Sequence, residues 1–143
     1  MTLWQIAMVA LLPLCLGPAR FRTWAAMLAS GLAGHLVSSF YPAPVLAWVA
    51  IDVLTALVIL SRPKGTAQHY IGCVYVAMIV SHIGYIFASN PIAITVYYQL
   101  LTAAGWLAWF ILFCWGAGDA GKRIGARLGL HWPSLHRPKA AGK

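Results

Sequence analysis

Charge is scarce in this sequence, and negative charge is almost absent. Of 143 residues, two are acidic and ten are Lys or Arg, so charged residues make up 8% of the chain. Soluble domains carry about a quarter, and this composition argues against a water-soluble globular fold. Disorder is excluded too, because it needs low hydrophobicity, whereas 62% of these residues are hydrophobic and the mean hydropathy is +0.79. Of the two acids, Asp52 lies in an apolar run and Asp119 beside a basic one, which removes paired-carboxylate catalysis. The three cysteines, Cys15, Cys73 and Cys114, are an odd number and form no disulfide framework. Reduced thiols of this kind behave as small buried hydrophobes. The chain also has no Gly-rich phosphate loop, no Cys-x-x-Cys, no His-Glu-x-x-His and no Gly-x-Ser-x-Gly. A non-enzymatic role is therefore expected.

Long apolar runs dominate what remains. Five are free of Lys and Arg: residues 2–16, 23–40, 45–60, 69–88 and 92–116. A helical membrane span needs about 20 apolar residues. The last two runs meet that length, and the middle two come near it. The run at 2–16 is short and carries Pro13, which removes a backbone donor. It is read as a span and not as a cleaved signal, because Met1–Gln5 has no positive charge and no Ala-x-Ala precedes Arg20. Pro13 and Leu14 likewise do not suit a lipoprotein site at Cys15. Prolines and polar residues at 41–44, 61–65 and 89–91 punctuate the runs. Connectors this short make consecutive helices antiparallel, and neither a repeat nor the alternation of a β-barrel is present. The expected fold is all-α: an up-and-down bundle of about five transmembrane helices over residues 1–118, or four without the first. A basic cytoplasmic tail follows at 119–143.

Placed on alternating sides of such a bundle, the bases all land on one face. Arg20 and Arg22 follow the first run, and Arg62 and Lys64 the third. Lys122, Arg123, Arg127, Arg137, Lys139 and Lys143 follow the fifth. The positive-inside rule then puts the N-terminus outside and the C-terminus in the cytoplasm, as in a bacterial inner membrane. Aromatics fit the same frame, with Trp4, Tyr41, Trp48, Tyr97 and Tyr98 toward the outer interface and Trp24, Tyr70 and Trp115 toward the inner. Arg20, Arg22, Arg62, Lys64, Lys122, Arg123 and Arg127 are expected to face anionic lipid headgroups. Around Lys122, Ile124 and Leu128 the tail is expected to lie as an amphipathic segment along the inner leaflet. Lipid contact accounts for these charges, so no nucleic-acid partner is expected.

Ionisable groups inside membrane helices are costly and face the bundle interior. His35, Asp52 and His82 are the three such groups, at matching depth in the outer half. Ser38, Thr55, Tyr85, Gln99 and Thr102 fall near the same level, which predicts a shared polar layer. Asp52 must take up a proton or pair with a cation, and only His35 or His82 is at hand. The tight 41–44 turn suggests that His35 faces Asp52. The layer has three readings: a clasp that sets helix register, a proton path, and a b-type haem site. In the haem reading His35 and His82 are axial ligands, with Asp52 hydrogen-bonding a ligand imidazole. Three functions fit: an accessory or assembly subunit associating with other membrane subunits or itself, a haem-binding electron-transfer subunit, and, by size, hydrophobicity and charged tail, a holin-like permeabilising protein. The accessory subunit is the expectation preferred here.

Overall fold

The computed structural model describes residues 17–41, 44–87 and 91–127. The run at 2–16, the connectors at 42–43 and 88–90, and the bases Arg137, Lys139 and Lys143 lie outside the described residues. Among those described there are four helices and no strand: α1 (Pro18–Phe40), α2 (Val45–Leu60), α3 (Thr66–Phe87) and α4 (Pro91–Arg127).

Each boundary has a local cause. Gly17 stands at φ 158°, a backbone region that side chains disfavour, and its carbonyl accepts the first helical bond, from Phe21 N–H at 2.8 Å. Pro18 follows at the start of the helix, where a missing N–H costs nothing. α1 thus begins five residues before the apolar run, with Arg20 and Arg22 inside its first turns. Bases there oppose the helix dipole, and both are tied down by other elements, as described below. α2 coincides with its apolar run at 45–60. α4 continues 11 residues past the end of its run, as one 37-residue helix to Arg127. The amphipathic stretch expected after residue 119 is part of this helix as far as Arg127: residues 92–127 contain no proline, and the glycines each cost only about 1 kcal/mol.

α1 packs on α2, α2 on α3 and α3 on α4, whereas α1 and α4 barely meet. The shared core draws on all four helices through Met27, Ala56, Ile59, Ile71, Val74, Tyr75, Ala108 and Leu112. Much apolar surface stays outside it. α3 and α4 are long and apolar enough to cross a membrane, and only 22% and 17% of their most apolar stretches are buried. α2 is a shorter apolar helix of 16 residues.

α2 and α3 pack closely where Gly72 faces Leu60. A Cβ at Gly72 would lie 2.7 Å from Leu60 Cγ and 3.0 Å from its Cδ1. Gly72→Val should therefore destabilise the bundle by about 1–3 kcal/mol, read as a lower unfolding temperature in detergent. Adding Leu60→Ala should restore part of that loss. Additive losses would show that this approach is not what Gly72 provides.

Candidate functional site: a buried Asp–His–Tyr chain

Burial on α2 follows one stripe, Asp52, Thr55, Ala56 and Ile59, which sets the Asp52 carboxyl against α3. On α3 the matching stripe runs through Ile71, Val74 and Tyr75 to His82. α4 contributes Tyr97, on the same side as Ala108 and Leu112. These positions meet at His82. Its Nε2 lies 3.0 Å from Asp52 Oδ2, and its Nδ1 lies 2.5 Å from the Tyr97 hydroxyl. All three residues are enclosed, at 5%, 2% and 4% exposure for Asp52, His82 and Tyr97.

The donors and acceptors admit a complete solution. With a neutral ring, Nε2–H donates to the carboxylate and the Tyr97 O–H donates to Nδ1. With a charged ring, both N–H groups donate, one to each neighbour. In both states each ring nitrogen is occupied, and one hydrogen-bonded chain links α2, α3 and α4. Aromatic rings enclose it. Trp48 lies 6.0 Å from the His82 ring, and Tyr85 stacks on Tyr97 at 4.2 Å. Tyr98 meets Tyr97 at 5.1 Å and Trp48 at 6.4 Å. Trp48 Nε1 donates to Ser38 Oγ at 3.2 Å, and Ser38 Oγ donates to the Gly34 carbonyl at 2.7 Å, which extends the polar contacts to α1.

His35 does not join the chain. It is exposed, and Asp52 is partnered by His82 instead. The reason is angular. Gly34 is the α1 residue that approaches Trp48, and His35 lies about 100° further around the helix. His35 and His82 therefore do not converge as a pair here: one is exposed, and the other has both ring nitrogens engaged. Asp52 is accordingly the direct partner of His82 and not a group hydrogen-bonding to a haem ligand. Among the described residues no cluster of three or more His, Cys, Asp or Glu could hold a metal ion.

Other members of the expected layer also divide. Tyr85 packs in it through its stacked ring. Thr55 is buried, but its hydroxyl donates to Ile51 O at 2.8 Å, within its own helix. Gln99 and Thr102 are exposed and line a groove on the outer face of α4 with Thr95, Tyr98 and Trp106. The Thr102 hydroxyl donates to Tyr98 O at 2.8 Å. Tyr97, assigned from sequence to an interfacial belt, supplies the buried group. The spacing Tyr97, Ala104, Ala108, Leu112 carries a signal for this, since small residues at 104 and 108 mark the side on which α3 approaches.

The opposite end of the bundle is basic and holds a second polar assembly. Arg20 is 5% exposed and forms an ion pair with Asp119 at 2.8 Å, joining the start of α1 to the end of α4. Arg20 is thus removed from the set of bases free to meet headgroups. Gln68, absent from the sequence-based candidates, is fully buried. Its amide donates to Thr23 Oγ1 at 2.9 Å and its carbonyl accepts from Lys64 N–H at 2.6 Å. Arg22 Nη2 donates to the Arg62 carbonyl at 2.7 Å. Every described base therefore lies at one end, in the first turns of α1, in the 61–65 connector or in the last turns of α4.

If the His82 chain carries α2–α3–α4 packing, breaking one member should cost more than replacing the pair. His82→Leu leaves a buried carboxylate alone and should cost about 3–5 kcal/mol, while Asp52→Leu with His82→Leu should recover most of it. Tyr97→Phe leaves Nδ1 without its partner and should cost about 1–3 kcal/mol. Thermal unfolding of the set in detergent checks this, and equal losses in single and double variants would refute the coupling. Comparison with protein-family models, curated proteins and solved structures finds no match for this chain.

Proposed function

We propose that this chain is a multi-pass bacterial inner-membrane protein acting as a non-enzymatic accessory or assembly subunit of a membrane complex. Two long apolar helices with mostly uncovered surface support the membrane assignment. The gathering of described bases at one end supports a cytoplasmic position for that end, and with it for the C-terminus. With a first span over 2–16, the N-terminus lies outside. Within the bundle the ionisable groups satisfy one another, which suits architecture more than turnover. The Asp52–His82–Tyr97 chain acts as a register clasp.

One observation carries the subunit assignment. α4 presents Thr95, Gln99 and Thr102 as a polar stripe on its exposed face, amid Ile94, Leu100 and Leu107. The Gln99 amide makes no hydrogen bond among the described residues, although it lies close to the depth of the buried His82 chain. In hydrocarbon an unpaired amide costs several kcal/mol, and a neighbouring helix with polar side chains removes that cost. A partner subunit, or a second copy, is the natural source of such a helix.

On native gels of membranes dissolved in mild detergent, the wild-type chain should run in a discrete species larger than its own mass. Gln99→Leu should shift it to the free form, whereas Leu107→Ala, at a more purely apolar exposed site, should not. A wild-type chain that runs only as monomer would overturn the proposal.

A further inference from the structure

The α1–α2 face carries a groove of about 540 Å³, separate from the α4 stripe. Its α1 wall is made of Ala25, Ala29 and Ala33, whose short side chains create the space, and its α2 wall includes Leu54 and Val58. At the basic end it closes on Arg22. From Arg22 to Ala33 is 11 residues, about 16 Å along the helix. That is close to half of a ~30 Å hydrocarbon core, or one leaflet.

Arg22 is incompletely satisfied. Of its five N–H donors, one is used on the Arg62 carbonyl, and the Nε–H is buried with no acceptor. That bond brings the backbone of the exposed Arg62 alongside Arg22, at the basic end of the groove. No acidic side chain is left to neutralise Arg22 or its neighbour Arg62. The chain has two acids, and Asp52 is taken by His82 while Asp119 is taken by Arg20, with Lys122 Nζ at 3.9 Å. An apolar slot one leaflet long, ending at a guanidinium with an unmet N–H, matches a molecule with an apolar chain and an anionic head. Arginine is suited to phosphate because its planar fork donates two parallel hydrogen bonds.

We propose that this groove binds one acyl chain of an anionic phospholipid from the cytoplasmic leaflet, with its phosphate on Arg22 and Arg62. The site rests on the membrane assignment above, with the basic end cytoplasmic. It is independent of the partner at Gln99. The phosphate draws Arg22 toward the groove mouth and supplies the acceptor that its Nε–H lacks. The alanines hold the chain by contact alone, so selectivity lies in the head and not in the tail.

The full chain, purified in mild detergent, is tested by native mass spectrometry and thermal shift. Phosphatidylglycerol, phosphatidylcholine with the same acyl chains, and inorganic phosphate are titrated separately. One phosphatidylglycerol per chain should be retained and should raise the unfolding temperature. Phosphatidylcholine should bind at least tenfold more weakly, and inorganic phosphate should not protect. Arg22→Gln should weaken phosphatidylglycerol about tenfold, and Arg62→Gln, at an exposed side chain outside the packing, should do so without altering the unfolding temperature of the lipid-free protein. Ala29→Leu, which fills the groove, should weaken both lipids alike. Equal affinity for the two lipids, protection by phosphate alone, or unchanged lipid binding by Ala29→Leu would each overturn the site; the last result would mean that another segment or a second copy covers the groove. Recovery of the chain in the soluble fraction would instead overturn the membrane assignment itself.

Discussion

A carboxylate enclosed among apolar side chains needs a hydrogen-bond donor, and in this protein the Asp52–His82 contact meets that need. Much of the bundle is built around it. His82 can serve Asp52 with one nitrogen only if the other is also engaged, and Tyr97 engages it. Three helices are thereby held at one level, with α3 in the middle. Slipping α2 or α4 by one residue against α3 would turn Asp52 or Tyr97 about 100° from the imidazole. Such a slip would also lose the apolar fit of the core, but the stranded carboxylate adds a penalty that apolar groups do not carry. The same register brings Leu60 onto Gly72 near the other end of the α2–α3 contact.

The second polar assembly works where the clasp cannot reach. α1 has little contact with α4 along most of its length, yet Arg20 meets Asp119, and Thr23 meets the buried amide of Gln68. These contacts anchor the start of α1, while Trp48 and Ser38 join it to α2 toward the far end. Between the two assemblies lies the apolar core around Met27, Ile59, Ile71 and Leu112. Both acidic side chains are consumed internally, by His82 and by Arg20. Interior polarity is balanced, and unbalanced polarity is at the surface, on the Gln99 face and beside Arg22.

Sequence patterning reached far into this architecture. The helical class, the boundaries of α2 and the side-by-side placement of the described bases follow from apolar runs and short connectors. The common depth of Asp52 and His82 also follows, since depth is residue count multiplied by helical rise. Angular position was harder to read. α1 and α4 have polar groups on more than one side, so periodicity did not distinguish the face toward the neighbour. His35 was placed inward and is exposed, and Gln99 was placed inward while Tyr97 holds that position. α4 runs past its apolar stretch, and the ion pair that accompanies this continuation joins residues distant in sequence, 20 and 119.

What the sequence alone determined is what depends on one dimension: which stretches are helical, how long the apolar ones are, at which ends the charges fall, and which ionisable groups lie near one level. Tertiary structure decided the choice of partners. A helix can rotate about its own axis without changing its hydropathy or its length. The angle at which it settles is set by fit against its neighbours, here by Gly72 under Leu60 and by an imidazole with one acid on one side and one phenol on the other.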